Sequence, residues 1–233
     1  MPAGVAATGG MAFVLLFVVA HLVQPSVDPS WQPPSELALG PSGWVMIVAF
    51  LVLGLGCLGL VIALAGHVRT WPGRIGLIAL SLAALGCVVG GVFPADPTST
   101  AAGEGTAAGA IHSIGPVLLD GIPVAAVLLA ITLPRHGGPG WRRLRSVLIV
   151  GAVLTVGAAV VLTVSMGVMM PETGQLGPGV LIGWQGRVLL LANAVWVTGV
   201  GLATLWVSPR SSAWSPGSNS EASAQAPVIE GRP

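Results

Sequence analysis

The sequence predicts an all-α membrane protein built as a bundle of six transmembrane helices. Of its 233 residues, 54% are apolar and only 7% are charged, whereas an ordinary soluble domain has about 25% charged residues. The mean hydropathy is +0.89. Such a chain cannot cover a globule with polar side chains, so most of its surroundings must be lipid. A net charge of +1, without a clustered basic face, excludes a nucleic-acid-binding protein.

Six segments are long and apolar enough to cross the membrane, since a span needs about 20 such residues. None shows the alternation of polar and apolar residues that is typical of strands, so we predict helices rather than barrel strands. The spans together form one domain, residues 1–207, and residues 208–233 are predicted to be a disordered cytoplasmic tail because Ser, Pro, Gly and Ala dominate them. The predicted spans are approximately 5–24, 43–66, 75–93, 112–133, 146–169 and 185–207.

The arginines predict the orientation of the bundle. Lys is absent, and eight of the nine arginines lie in alternate connections and the tail, whereas the segments 25–42, 94–111 and 170–184 contain none. Because basic residues favour the cytoplasmic side, we expect both termini to be cytoplasmic. The Arg-only usage and the many Ala, Gly and Val residues favour a high-GC bacterial source, and therefore a multi-pass protein of the bacterial cytoplasmic membrane.

Small residues and prolines indicate how the helices pack. Gly86 and Gly90 form a small-xxx-small pattern that allows two helix backbones to approach closely. Pro116 and Pro123 are predicted to bend the fourth span. The sequence shows neither clear internal repeats nor a broken helix at the midplane, which argues against a concentrative pump.

The polar residues of interest lie near one end of the predicted helices, the outer end. In the predicted topology they come from five separate stretches of chain, and nothing comparable occurs in the cytoplasmic half of the spans. We therefore expect them to form one extracytoplasmic cluster. These residues are His21, Glu36, Asp96, His112, Asp120, Gln185 and Arg187.

Two of these polar residues are the hardest to explain as ordinary surface groups. Asp120 lies about 12 Å below the predicted start of its helix, where a carboxylate costs about 2.5–3.5 kcal/mol. Arg187 is the only arginine on the outer side, with Asp120, Asp96 or Glu36 as the expected partner. These residues form either a structural ion pair or part of a ligand site. Taken singly, the other polar residues fit loops, turns and helix ends, and Trp44 and Trp184 fit the aromatic belts of the membrane interfaces.

Several short motifs also resemble a known family. They are Ser35-Glu36-Leu-Ala-Leu-Gly40-Pro, Phe93-Pro94-Ala-Asp96-Pro, Gly109-Ala-Ile-His112 and Gly183-Trp-Gln185-Gly-Arg187, in that order and preceded by His21. Together they resemble the bacterial membrane family called domain of unknown function 998, over nearly the whole chain. The resemblance implies a six-span bundle and supports grouping His21, Glu36, Asp96, His112 and Arg187. It implies no established reaction.

The first functional hypothesis is an outward-facing polar pocket that binds a small ligand, a lipid head group or a cation. Its partners are membrane lipids and a small-molecule or isoprenoid ligand, and we expect no metal and no cofactor, since the His and carboxylate spacing is not diagnostic and nucleotide-binding glycine patterns are missing. The predicted ligand-binding residues are His21, Glu36, Trp44, Phe93, Asp96, His112, Trp184, Gln185 and Arg187.

The second hypothesis is an acid/base enzyme that acts on a lipid or isoprenoid substrate, as a cyclase or a hydrolase would. A carboxylic acid in an apolar pocket can remain protonated and act as a general acid. Asp120 or Asp96 would protonate the substrate, and Glu36 or His112 would accept a proton. Aromatic faces, expected from Trp44, Trp184 and Phe93, would stabilise a developing cation. A third hypothesis is an accessory subunit whose outer loops contact a partner protein.

Overall fold

The computed structural model describes residues 1–101, 103–172 and 174–207, and all regular structure in these ranges is helical. The predicted disordered tail, 208–233, lies outside the described residues. Six helical segments are long and apolar enough to span a membrane, which confirms the predicted all-α, six-span fold. The helices are α1 (Pro2–Val23), α2 (Trp44–Ala65), α3 (Trp71–Val92), α4 (Ala107–His112), α5 (Ile114–Leu119), α6 (Gly121–His136), α7 (Pro139–Arg143), α8 (Arg145–Met169) and α9 (Gly183–Val207), with a 3₁₀ helix at Pro34–Ala38.

The six spans pack in chain order around a closed ring. Helix α1 packs on α2, α2 on α3, α3 on α5 and α6, α6 on α8, and α8 on α9, which returns to α1. We call the end of the bundle formed by the connections 24–43, 93–106 and 170–182 the loop end. The opposite end, formed by the connections 66–70 and 137–144, is called the arginine end.

Glycine allows the closest helix contacts, as the sequence predicted. A Cβ placed at Gly86 would lie 2.6 Å from the carbonyl oxygen of Gly115, and one at Gly9 would lie 2.8 Å from the Cα of Gly56. Real Cβ atoms do not approach so closely, so any larger residue would push α3 away from α5, or α1 away from α2. Backbone approach of this kind gives the van der Waals contact that holds membrane helices together.

The fourth span is not one helix but three, because two prolines interrupt it. The helix breaks at Ser113 and again at Asp120, each three residues before a proline, Pro116 and Pro123. A proline has no N–H for the carbonyl four residues earlier, and its ring collides with that carbonyl. At both prolines that the sequence singled out, the structure thus has a break in the helix. The expectation that no broken helix occurs is wrong, because the second break places Asp120 in the middle of the span.

Helix α8 is the least embedded span. Its buried residues are Leu148, Ala152, Thr155 and Ala158, all within the first fourteen residues counted from the arginine end. No residue of α8 beyond Ala158 is buried among those described. The part of α8 nearer the loop end is therefore loosely packed, and its hydrogen bond to α9, from the Gln185 amide to the Ser165 hydroxyl, is long at 3.5 Å.

Candidate functional site

Arg187 is buried near the start of α9, with a side chain that is only 2% exposed. Its Nε donates to Nε2 of His21 at 2.8 Å, and its Nη1 donates to the carbonyl oxygens of Gln32 at 2.7 Å, Gly183 at 3.0 Å and Pro29 at 3.3 Å. The guanidinium thus binds two helices and the α1–α2 connection together. Its hydrogen bonds go to His21 and to carbonyls, not to the carboxylates that the sequence pointed to.

His21 fits this network as a neutral ring. Its Nδ1 lies 2.7 Å from the carbonyl oxygen of Phe17, an acceptor, so this nitrogen carries the proton. The other ring nitrogen, Nε2, is then free to accept the hydrogen bond from Arg187. The predicted pair of His21 and Arg187 is brought together, and both nitrogens of the histidine ring are used within the protein.

Asp28 supplies negative charge beside this network. The pKa of its carboxyl group is lowered below the ordinary value of 3.8, first by the hydroxyl and backbone N–H of Ser30, then by the Trp31 side chain and the Arg187 charge. The Ser30 hydroxyl donates at 2.6 Å and the Ser30 N–H at 2.9 Å. Asp28 therefore shapes the turn whose carbonyls bind Arg187.

Glu36 and Asp96, the two predicted loop carboxylates, hold connections together at the loop end. Glu36 accepts a hydrogen bond from the backbone N–H of Thr98 at 2.6 Å. Asp96 accepts from the N–H and the hydroxyl of Thr106 at 2.9 and 2.8 Å, and the hydroxyl oxygen of Thr106 in turn accepts from the N–H of Gly109 at the start of α4. The structure therefore does not bring these carboxylates to Arg187, and their partners are parts of the loops.

A cavity of about 450 Å³ lies inside the ring, against the broken span. Five spans line it: α2 with Phe50, α3 with Gly86, the fourth span, the loosely packed part of α8, and α9. Residues 33–35 of the α1–α2 connection line it at the loop end. The lining is mainly apolar. It belongs to the size class of small-molecule sites, roughly 300–1,000 Å³, which combine apolar walls with a few polar groups.

Asn193 is the most unusual polar residue of this cavity. Its side chain is 0% exposed, lines the cavity, and leaves both the amide nitrogen and the amide oxygen without a hydrogen-bond partner. Buried polar groups are nearly always hydrogen-bonded, and an unpaired one requires an explanation. Asn193 lies ten residues after the first residue of α9, about 15 Å along the helix axis, and so near the middle of the bundle.

Asp120 and His112 line the same cavity. Asp120 occupies the break between α5 and α6, and its carboxylate makes no hydrogen bond or ion pair with any residue that the structure describes. His112 is mostly buried, and its Nδ1 donates to the carbonyl oxygen of Phe93 at 2.8 Å. In the neutral ring Nε2 therefore remains as an acceptor. Of the predicted site residues, these two are the ones that reach the cavity.

The aromatic and amide residues predicted for the pocket lie elsewhere. Trp44 and Trp184 are 62% and 57% exposed at the starts of α2 and α9, as aromatic-belt residues are. Phe93 contributes its carbonyl to His112 rather than a ring to the cavity. Gln185, with Trp184, lines a separate groove of about 490 Å³ between α8 and α9.

Asn193 was missed by the sequence reasoning, although a signal for it existed. An asparagine ten residues inside an apolar span is as unusual as the aspartate at 120, because polar side chains in a membrane interior need partners. Unlike most of the predicted site residues, Asn193 lies far from the loop end of its span. Among residues 1–101, 103–172 and 174–207, no three His, Cys, Asp or Glu side chains are grouped so that they could hold a metal ion.

The fold and the cavity define an integral membrane protein whose ring of six spans encloses a mainly apolar cavity with a few polar residues in its lining. The family described as "protein of unknown function (DUF998)" matches residues 7–203, and the chain belongs to that family. No curated protein and no solved structure matches the chain.

Proposed function

We propose that this protein binds a small amphiphilic ligand, with an apolar body and a compact polar head, in the cavity inside the ring. The observation that carries the proposal is Asn193, which lines the cavity and whose buried amide has no hydrogen-bond partner for its N–H donors or for its oxygen. A ligand hydroxyl, amide or carboxylic acid would satisfy both atoms, because such groups donate and accept. Apolar walls around Asn193 would hold the rest of the molecule.

Asp120 and His112 support the same ligand class. Both are polar residues of the cavity lining, Asp120 at the helix break and His112 at the end of α4. A ligand head placed among Asn193, Asp120 and His112 would exchange hydrogen bonds with water for hydrogen bonds with the protein. The polar groups lie in the part of the cavity lined by the fourth span and α9, so the head would lie there and the apolar body against α8.

The orientation of the cavity follows from the charges. Every described arginine except Arg187 lies at the arginine end, and basic residues favour the cytoplasm. We infer that the termini are cytoplasmic, that the cavity lies toward the outer side, and that the membrane is the cytoplasmic membrane of a bacterium. The ligand would then come from the outer leaflet or the space beyond it.

A second function, acid/base catalysis on a lipid or isoprenoid substrate, has one observation in its favour. The carboxylate of Asp120 has no partner within the described chain and shares the cavity with His112. In its protonated form Asp120 would deliver a proton to the substrate, and Nε2 of His112 would accept the proton that the substrate releases in a later step. Asp96 and Glu36, the other predicted catalytic residues, are engaged with Thr106 and Thr98, so they would only support the loops.

The experiment is mass spectrometry of the full chain extracted together with its surrounding membrane into polymer nanodiscs. We expect a defined small molecule to co-purify with the wild type and to be lost from Asn193→Leu and Asp120→Asn. Thr198→Val, on the same helix but outside the cavity, and Glu172→Gln, an exposed carboxylate, are the matched controls and should keep the ligand.

Two results would contradict the proposal: no bound molecule in the wild type, or equal occupancy in all five proteins. The same samples distinguish binding from catalysis. If Asp120 is a general acid, the Asp120→Asn protein should hold a different molecule, the unreacted substrate, rather than no molecule. If the cavity only binds, incubation of the wild type with the recovered ligand leaves that ligand unchanged.

A further inference from the structure

The arginine end carries a concentrated positive charge. Six arginines lie there, and among the described residues no Asp or Glu lies at that end. All described carboxylates belong to the loop end or, in the case of Asp120, to the middle of the fourth span. The six are Arg69, Arg74, Arg135, Arg142, Arg143 and Arg145.

Three of these arginines surround a groove of about 540 Å³ between α6, α7 and α8. Arg135 comes from the last turn of α6, Arg142 from α7, and Arg145 from the first residue of α8. Ile131 and Ile149 form part of the groove wall and are 44% and 42% exposed. The groove therefore joins a cationic rim to an apolar surface that continues onto the lipid-facing sides of α6 and α8.

The backbone holds these arginines in place. Gly138 has a φ of +106°, which residues with a side chain rarely adopt, and it turns the chain from α6 into α7. Trp141 is then fully buried, with its ring 5.7 Å from that of His67. Because Trp141 anchors α7, its neighbour Arg142 is fixed beside the groove rather than carried on a free loop.

The groove has positive charge without an internal counter-charge. None of the three guanidinium groups forms an ion pair or a hydrogen bond with the described part of the chain. No side chain caps the N-terminus of α8, which begins at Arg145, and the N-terminus of a helix favours an anion. Arginine is also well suited to phosphate, which its planar fork can bind through two hydrogen bonds.

We propose that this groove binds the phosphate of an anionic phospholipid, whose acyl chains lie along Ile131 and Ile149. Basic pockets between membrane helices at the membrane surface bind anionic lipid head groups. A lipid fits better than a soluble phosphate because the groove lies where the spans end and has an apolar wall exposed to the membrane. This site lies at the opposite end of the bundle from the proposed cavity and does not depend on it.

The test measures lipid binding to delipidated full-length protein in detergent, by native mass spectrometry, over a titration with phosphatidylglycerol. The groove variant is Arg142→Gln with Arg145→Gln. The matched control is Arg69→Gln with Arg74→Gln, which removes the same charge from the same end but outside the groove. Each arginine should contribute about 1 kcal/mol to binding, so the groove variant should bind phosphatidylglycerol about 30-fold more weakly than the wild type does. The control should lose clearly less affinity.

Two further arms separate the sources of the phosphate. Phosphatidylcholine should bind the wild type more weakly than phosphatidylglycerol does, and inorganic phosphate should not compete with phosphatidylglycerol at the same concentration. Equal losses in the two double variants, or full competition by inorganic phosphate, would overturn the proposal. If the double groove variant does not fold, Arg135→Gln alone is compared with Arg69→Gln. Arg135→Gln should then bind phosphatidylglycerol more weakly than Arg69→Gln does.

Discussion

Replacing Asn193 by leucine should stabilise the empty protein while it removes ligand binding. Leucine is close in shape to asparagine but has no polar atoms. In the empty cavity the wild-type amide is buried with both hydrogen-bonding atoms unpaired, so its removal takes away a desolvation cost without taking away a hydrogen bond. With the ligand bound, the same amide forms hydrogen bonds to it. The wild type should then be more stable than Asn193→Leu.

The size of the effect follows from these unpaired atoms. Burying an amide without a hydrogen bond costs about 1–3 kcal/mol in proteins, and membrane helices give the lower part of this range because the unfolded chain in the membrane also finds partners. For a chain of this size, about 1 kcal/mol shifts the melting temperature by about 2–4 °C. We therefore expect ligand-free Asn193→Leu to melt about 2–4 °C above the wild type. A ligand concentration of 100 times the Kd should add about 2.7 kcal/mol to the free energy of unfolding of the wild type.

Thermal unfolding of purified protein in one detergent, with and without the ligand recovered from the wild type, measures both effects. Thr198→Val serves as the control, because its hydroxyl already donates to the carbonyl oxygen of Ala194 at 2.8 Å and it lies outside the cavity. The control should respond to the ligand as the wild type does. A melting temperature of empty Asn193→Leu below that of the empty wild type would refute the prediction, because the amide would then be satisfied in the native protein.

Three other changes test the rest of the structure. Arg187→Lys should lower the free energy of unfolding by about 3 kcal/mol, measured by thermal or denaturant unfolding in detergent, because an ammonium cannot bind His21 and the loop carbonyls together; an unchanged stability would contradict the network. Gly86→Ala should cost about 1–3 kcal/mol by forcing α3 from α5, whereas Gly157→Ala, with nothing within 4 Å of its Cβ, should be neutral or slightly stabilising. Because the pKa of folded Asp28 lies below 3.8, its stabilising effect is complete above that value and is lost as the pH falls through the lowered pKa. Over that range the wild type should therefore lose more melting temperature than Asp28→Asn, and parallel losses would argue against the Ser30 turn.

The spans could be predicted from composition, whereas their ends could not. Hydropathy detects the part of a helix that lies in hydrocarbon, and the predicted third span therefore began at residue 75. The helix itself begins at Trp71, where Thr70 caps it and Pro72 occupies the first turn. Hydrogen bonding continues a helix into the interface, where polar residues are tolerated. The fourth span, predicted as 112–133, extends over Ala107–His136 for the same reason.

The site was harder to predict because the partners of polar residues depend on the path of the loops. The sequence could identify Arg187 as exceptional, but three of its hydrogen bonds go to backbone carbonyls, and no side-chain pattern marks those. Asp96 likewise binds the backbone N–H of Thr106 in its own connection, and Glu36 binds the backbone N–H of Thr98 in a different one. The prolines were more informative, since the geometry of a proline break is local and places Asp120 at the second break whatever the rest of the bundle does.

For the proposed ligand, we infer a route into the cavity from the contacts at the loop end and along α8. At the loop end, Arg187 binds the α1–α2 connection and Glu36 binds the N–H of Thr98 in the α3–α4 connection, so entry from the water would require these contacts to open. Beside the cavity, by contrast, α8 has no buried residue beyond Ala158, and its side chains there face lipid on one side and line the cavity on the other. Separating α8 from the fourth span breaks only apolar contacts, which lipid tails replace with little change in free energy. An amphiphile already in the membrane could therefore reach Asn193 sideways, with its polar head moving toward Asp120 and its apolar body remaining in contact with α8.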